Sequence, residues 1–229
     1  MGMVAIIPAR GGSKRLARKN ILPVQGRPML SYPVMSAVGA GIFDRVIVST
    51  EDEAIGKIAK RAGADYFKRP EHLARDRSTV VEVCLNVLEQ LEGLNELPEY
   101  FCCIYATAVF ITPRDIKESF KLLTGSHGVN IVMGVSEYNL QPVQALIRGG
   151  DGLLKPMWPE YVNIQSQFHP GLVVSNGTLY WAGTERFLQK KTFYDDCLKG
   201  YEIPWIRALD IDTKESFEIV KMLAPSLLA

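Results

Sequence analysis

Val4-Ala5-Ile6-Ile7-Pro8-Ala9-Arg10-Gly11-Gly12-Ser13-Lys14-Arg15, continued by Leu16-Ala17-Arg18-Lys19-Asn20, lies near the start of the chain. Its short apolar run reads as a buried strand that Pro8 stops. Two glycines follow, where backbone can turn sharply and bring bare N–H groups close to a ligand. Five of the eleven residues from Arg10 to Asn20 are Arg or Lys and none is acidic. The first acidic residue of the chain is Asp44, so residues 1–43 carry six positive charges; the whole chain is only +1, and the rest therefore carries −5. A strand end rich in glycine and positive charge suits a polyphosphate, which bears about −4 at neutral pH. The spacing is neither G-x-x-x-x-G-K-[ST] nor G-x-G-x-x-G, so a P-loop kinase is excluded. From composition alone, a solvated basic loop after an edge strand fits as well.

Outward from this stretch, strands and helices alternate. Met29 to Ala40 is expected to be helical, with Ser31 as its cap and Pro33 near the first turn. Arg45 to Thr50 is a β-branched strand, Glu51 to Ala62 an amphipathic helix ending at Gly63, and Ala64 to Phe67 a third strand. After a polar loop from Lys68 to Ser78, Thr79 and Glu82 form a capping box for a helix to about Leu91. Tyr100 to Thr107 is apolar on both faces and expected to be central. Thr112-Pro113 starts the next helix, and Val129 to Val135 is the fifth strand. The rhythm then breaks: residues 136–176, with four scattered prolines, are expected to form an inserted subdomain. Thr178 to Trp181 and Trp205 to Ile211 are expected strands, Glu185 to Lys190 and Lys214 to Leu223 helices. The order predicts a single α/β domain over 1–229, with a twisted, mostly parallel sheet between helices and its site at the strands' carboxyl ends.

At 229 residues, 47% hydrophobic and 22% charged, the composition is that of an ordinary globular protein. No run of 18 apolar residues predicts a membrane span, and Met1-Gly2-Met3 leads into the first strand without a secretory leader. Cys84, Cys102, Cys103 and Cys197 have no C-x-x-C spacing, which suits a reduced, cytoplasmic setting. The basic loop is too small, and the charge too balanced, to favour a nucleic-acid partner. His72, His127 and His169 lack metal-ligand spacing, and there is no G-x-S-x-G nucleophile.

Asp210-Ile211-Asp212 is the second constellation. On extended backbone, residues two apart face one side, and two such carboxylates can share a hard divalent cation. Asp212 can equally be a helix N-cap, with Glu215 reaching back, or serve both ends. Arg69-Pro70, Leu73-Ala74-Arg75-Asp76 and Ser78-Thr79 by themselves describe only a polar surface loop. Tyr105 suits strand-end packing as well as a ligand.

I-P-A-R-G-G-S-K-R followed by K-N, the R-P…L-A-R-D-x-S-T loop and the terminal D-x-D-T together resemble the CMP-sugar synthetases, over nearly the whole span from Val4 to Leu223. C-C-I-Y-A-T, K-P-M-W-P-E-Y and Ser166-Gln167 resemble the pseudaminic acid cytidylyltransferases among them. The resemblance implies a Rossmann-like three-layer fold with a dimerisation insert, and the reaction of CTP with a nine-carbon 2-keto acid sugar to give CMP-sugar and pyrophosphate. It implies that Arg10, Lys14 and Lys19, with Ala9, Gly11, Gly12 and Ser13, hold the triphosphate, and that Asn20, Arg69 and Ser78 place the nucleoside. Tyr105, Thr107, Gln144, Gln165, Ser166 and Gln167 would face the sugar, and Asp210 and Asp212 would bind Mg2+. The related enzymes are dimers that lend each other the inserted segment, so a homodimer is expected. The chain departs from the subgroup at Val109, where proline is usual, at Gln165, where arginine is usual, and at Asn176-Gly177-Thr178-Leu179-Tyr180, which is closer to the sialic acid synthetases. Those departures fall on the sugar side, leaving a sialic or legionaminic acid synthetase, or a nucleotide-binding homologue without transfer, as alternatives. With Gln165 neutral, Arg148 and Arg207 are the candidates to grip the sugar carboxylate.

Overall fold

In a computed structural model that describes residues 2–138 and 140–228, the expected alternation forms one sheet covered by helices. Strand β1 (Met3–Pro8) is followed by a tight hairpin, β2 (Pro23–Val24) and β3 (Arg27–Pro28), and by α1 (Ser31–Ala40). Next come β4 (Arg45–Thr50), α2 (Glu53–Arg61), β5 (Asp65–Lys68), α3 (Val80–Gly93), β6 (Tyr100–Ile104), α4 (Pro113–Thr124) and β7 (Ile131–Glu137). A second hairpin, β8 (Leu146–Arg148) and β9 (Leu154–Pro156), precedes β10 (Val173–Gly183), α5 (Thr184–Lys190), β11 (Leu198–Glu202) and α6 (Lys214–Leu227).

Among the described residues the main sheet has seven strands in the order β11-β7-β10-β6-β1-β4-β5. Neighbours run parallel except β10, which is antiparallel to both β6 and β7. As expected, β6 is central and buried. Alternation along β1 sends Ala5 and Ile7 to the side covered by α1, α2 and α4, and Val4 and Ile6 to the side covered by α3 and α5. The adjacent Cys102 and Cys103 divide between the two faces in the same way, as buried free thiols. Because β4 lies on one side of β1 and β6 on the other, the loops leaving β1 and β6 diverge and leave a crevice at their carboxyl ends.

A third, smaller apolar cluster closes that end of the sheet. Leu16 from the basic loop, Val109 and Phe110 from the loop after β6, and Ile211 pack with Phe217, Val220 and Ala224 of α6. Val109 therefore lies in a core beneath the crevice, and its departure from proline changes packing rather than a sugar contact.

Several local expectations change. Thr79 with Glu82 caps α3 and Thr112 caps α4 as read from the sequence, and Asp115 completes a second capping box that was not expected. Ser31 does not cap α1, which begins at Ser31 after Leu30 with no side-chain cap. Trp205 to Ile211 is not a strand: a single 3-10 turn (Trp205–Arg207) is followed by irregular chain to Thr213. The seventh strand is instead β11, whose Leu-Lys-Gly-Tyr-Glu lacks an apolar rhythm because it pairs only with β7 at the sheet edge. Pro204, just before the turn, cannot supply a ladder donor there.

β10 loses register between Ser175 and Tyr180, and the bulged residues, including Gly177 at φ +63°, turn toward the crevice. Gly134 of β7 makes room for this bulge, since a β-carbon there would lie 2.3 Å from Thr178 Oγ1 and 2.8 Å from Asn176 Oδ1. Gly134→Ala is expected to destabilise the fold by about 1–3 kcal/mol through overpacking, read as a lower urea midpoint.

Candidate active site

Two cavities open side by side above the carboxyl ends of β1 and β6. The first, about 320 Å³, is lined by Arg10, Ser13, Lys14, Arg15, Lys19 and Asn20 from the basic loop, Arg69, Asp76 and Ser78 from the segment after β5, Tyr105 and Thr107, and Asp212. The second, about 560 Å³, is lined by Tyr105, Tyr138, Tyr180, Tyr194 and Trp205, with Ser136, Ser175, Asn176, Glu137 and Asp210. Tyr105 is the shared wall. Burial pushes its hydroxyl well above the usual phenol range, so it stays neutral and its ring packs against Tyr180, 5.7 Å between centroids.

The basic loop is stiffened from within. Asn20 is buried and its Nδ2 donates to the Arg10 carbonyl at 2.9 Å. The Gly11 amide donates to Glu51 Oε1 at 2.7 Å, so it is an anchor of the loop rather than a free phosphate donor. A β-carbon on Gly11 would meet Asp52 Oδ2 at 2.6 Å, and Asp52 is itself the N-cap of α2. Glycine is thus required for the loop to seat on that helix end. The Ala9 side chain is buried in the core, and neither Ala9, Gly11 nor Gly12 lines the cavity.

Every lysine and arginine of the cradle from Arg10 to Lys19 faces a carboxylate. Arg10 and Lys14 reach Asp76 at 2.8 and 2.5 Å. Lys19 reaches Asp212 Oδ1 at 2.8 Å, Arg15 pairs with Oδ2 of the same residue, and Arg18 lies 3.4 Å from Asp52. Hydrogen bonds from Lys14 and Arg10 hold the Asp76 carboxyl below its ordinary range. Arg69 differs: it is 4% exposed, donates to the Ser49 carbonyl at 2.6 Å and to Ser49 Oγ at 3.3 Å, and forms no salt bridge among the described residues. Burial lowers its pKa, partly offset by the Glu51 charge, but a guanidinium stays protonated at any working pH. It places a positive floor under the first cavity.

The acidic pair straddles the boundary. Ile211 is 1% exposed, and the carboxylates on either side of it line different cavities, Asp212 the first and Asp210 the second. Asp212 is not a helix cap: Thr213 caps α6 in a box with Ser216, and Asp212 turns to Lys19 and Arg15. Crowding by protein raises the Asp212 pKa, but Lys19 and Arg15 outweigh that and hold it low. Asp210, still open to solvent, is raised by partial desolvation and then by the charge of Asp212. The two carboxyls are therefore driven apart in acidity.

Other expected residues lie elsewhere. Gln144 is exposed in a 3-10 turn, and Gln165, Ser166 and Gln167 are exposed on the inserted segment, with Gln167 Nε2 donating to Gln165 Oε1 at 2.6 Å. None of them lines either cavity of this chain. Arg148 is exposed on β8, and Arg207 is bound to Asp115, so Arg207 is not available to a sugar carboxylate. The sequence did not single out Arg15, the latch role of Asp76 or the aromatic wall. Asp76 sits in the quoted L-A-R-D run, but the wall is assembled from positions up to a hundred residues apart and carries no local signal.

Paired cavities, one cationic and one aromatic, joined at two carboxylates on a mostly parallel sheet, define a nucleotide-dependent transferase site. The chain belongs to the cytidylyltransferase family, whose model matches residues 4–142, and is a CTP-dependent enzyme of that family. It is 28% identical over 224 residues to a pseudaminic acid cytidylyltransferase of Campylobacter jejuni, covering 97% of this chain and 96% of that one. It is 31% identical over 223 residues to an N-acylneuraminate cytidylyltransferase of Escherichia coli, covering 95% of this chain and 51% of that one. A CMP-N,N'-diacetyllegionaminic acid synthase of Legionella pneumophila is 27% identical, with 97% and 96% covered. The fold matches a CMP:2-keto-3-deoxy-manno-octonic acid synthetase structure with TM-score 0.73 at 14% identity, over 98% of this chain and 99% of that one.

Lys14 is largely exposed apart from its contact with Asp76, so Lys14→Ala is expected to leave the melting temperature unchanged. It should weaken CTP binding about 10- to 100-fold, the value of a charged hydrogen bond of about 1.5–3 kcal/mol. Asp76→Asn should act in the opposite direction, tightening CTP by about 1.5- to 5-fold, because it removes an exposed, weak competing ion pair. Calorimetric titration with CTP in EDTA reads both.

Proposed function

We propose that this chain transfers the cytidylyl group of CTP to the anomeric hydroxyl of a nine-carbon 2-keto acid sugar, with pseudaminic acid as the first candidate. The observation that carries this reading is the junction of the two cavities at Tyr105 and the Asp210-Ile211-Asp212 turn. Triphosphate in the cationic cavity would take Arg10, Ser13, Lys14, Arg15 and Lys19, displacing Asp76 and Asp212 from them. Asn20, Arg69 and Ser78 would place the nucleoside. The acceptor would occupy the aromatic cavity, with Tyr105 at its inner edge and Thr107 on the cationic side of that shared wall. Its hydroxyl oxygen attacks the α-phosphorus, its proton passes to solvent, the α–β bridging bond breaks and pyrophosphate leaves. This chemistry depends on in-line positioning and charge neutralisation more than on covalent catalysis.

The acidic pair suits a magnesium ion. Among the described residues no group of three or more His, Cys, Asp or Glu could hold a metal. Two adjacent carboxylates with phosphate oxygens and water are, however, the usual magnesium set. Asp210 and Asp212 would hold the ion, which supplies Lewis-acid polarisation of the phosphate under attack.

The inserted segment supports a homodimer. It exposes Leu146, Ile147, Leu153, Leu154 and Phe168, the last at 71%, which is costly for an isolated chain. Among the described residues no lysine or arginine lines the aromatic cavity, so a second copy carrying Arg148, Lys155 and residues 165–167 on its own insert would supply the grip on a carboxylate.

Turnover of CTP and Mg2+ with a panel of nonulosonic acids, followed by pyrophosphate release, tests the reading. Pseudaminic acid is expected to be used best, and Asp212→Asn to abolish turnover. If none is turned over while CTP binds normally, the nucleotide-binding alternative replaces it. Light scattering at micromolar concentration should give a dimer, and Gln165→Arg should lower the sugar KM while leaving that of CTP unchanged; a fully active monomer would remove the insert from the site.

A further inference from the structure

The segment carrying Asp210 and Asp212 has no ladder of its own, so something outside it must set where those carboxylates stand. Ile211 anchors it from below. Upstream, Arg207 ends the Trp205–Arg207 turn, and its guanidinium makes a two-pronged contact: Nη1 donates to Asp115 Oδ2 at 2.8 Å and Nη2 to Oδ1 at 2.9 Å. Nη1 also approaches the Phe110 carbonyl at 3.4 Å. Asp115 is 4% exposed and accepts further bonds from the Thr112 amide at 2.8 Å, Thr112 Oγ1 at 2.6 Å and the Tyr201 hydroxyl at 3.1 Å. One carboxylate thus ties together the start of α4, β11, the turn before the acidic segment and the end of the loop that begins at Tyr105.

None of Arg207, Asp115, Thr112 or Tyr201 lines either cavity, so this network does not touch a ligand. A half-buried ion pair is also a weak source of stability, because desolvation offsets most of its attraction. What a fork-on-carboxylate contact does provide is a fixed distance and angle. Its two ends hold two different walls: the loop from Tyr105 to Phe110 on one side, and Trp205 to Asp212 on the other.

We infer that the Arg207–Asp115 contact is a positioning pair for cytidylyl transfer, holding Trp205 and the Asp210-Ile211-Asp212 segment in register with the loop from Tyr105 to Phe110. This inference rests on the reading that the acidic pair serves the reaction. If the pair slackens, the backbone of the basic loop and Arg69 keep their own anchors in Asn20, Glu51 and Ser49, and a bound triphosphate would already have displaced Asp212 from Lys19 and Arg15. Only the relation of the acidic segment to the bound phosphates changes. A displacement near 1 Å at a reacting centre costs about 100-fold in rate.

The test uses Arg207→Lys, which keeps the charge and loses the fork, and the double variant Asp115→Asn/Arg207→Gln, which leaves no buried charge alone. For each, the urea midpoint, CTP affinity in EDTA, the gain in CTP affinity on adding Mg2+, and kcat and KM are measured. Both variants are expected to bind CTP in EDTA within about twofold of the parent, to lose the magnesium-dependent gain, and to fall at least tenfold in kcat with KM for CTP little changed. A lowered urea midpoint with kcat and the magnesium gain at parental values would show a merely structural pair and overturn the proposal. If Arg207→Lys fails to fold, the double variant decides. Should the parent itself show neither turnover nor a magnesium gain, the functional reading fails, the positioning role falls with it, and the parental data alone identify that outcome.

Discussion

The site depends on a small patch of buried carbon. Leu16, Val109, Phe110 and Ile211 come from three irregular segments, one basic, one neutral and one acidic, and meet above the sheet against α6. The opposite charges of the first and last do attract, but Arg15 is mostly exposed and exposed ion pairs contribute at most about 1 kcal/mol. Burying one leucine- or phenylalanine-sized side chain contributes about 1.5–3 kcal/mol. The apolar anchors therefore set the geometry, and the charges are free to change partners.

That freedom matters for what the site does. Arg10 and Lys14 share Asp76, and Arg15 and Lys19 share Asp212. Five like charges in eleven residues would otherwise repel one another, and the two carboxylates relieve this at a small, reversible cost. Under the proposed function, an arriving triphosphate would exchange for them without reorganising the backbone, because Asn20, the Gly11–Glu51 contact and Leu16 hold the loop independently. Releasing Asp212 from Lys19 and Arg15 also leaves it free beside Asp210, where the proposed metal would be needed.

Strand β10, antiparallel to both its neighbours in the main sheet, has a comparable role. β10 enters between β6 and β7, and its bulge carries Asn176 and Gly177 to the second cavity while Tyr180 returns to the sheet. Gly134 opposite is the space that permits it. Sheet order thus places the cationic loop and the aromatic wall on the two sides of β6, with Tyr105 at its end facing both.

Much of this was legible in the chain itself. The apolar run to Pro8, the β-branched 45–50 segment and the capping residues Thr79 and Thr112 state their structures locally, because strand burial and helix caps are short-range effects. The clustering of Arg and Lys beside two glycines likewise marked the loop that lines the cationic cavity, since charge density is a local property. The second cavity was not legible, because Tyr138, Tyr180, Tyr194 and Trp205 become neighbours only when β7, β10 and the segments after α5 converge. Nor was the edge strand β11, whose two partly buried residues, Leu198 and Tyr201, stand three apart and so show no apolar alternation, or the choice between cap and cleft at Asp212. That choice turned on Thr213 taking the cap while Lys19, 193 residues away, took the carboxylate. The sequence determined which chemical groups are present and the local backbone that bears them. Only tertiary packing decided which groups face each other, because that depends on distant apolar side chains sharing one core.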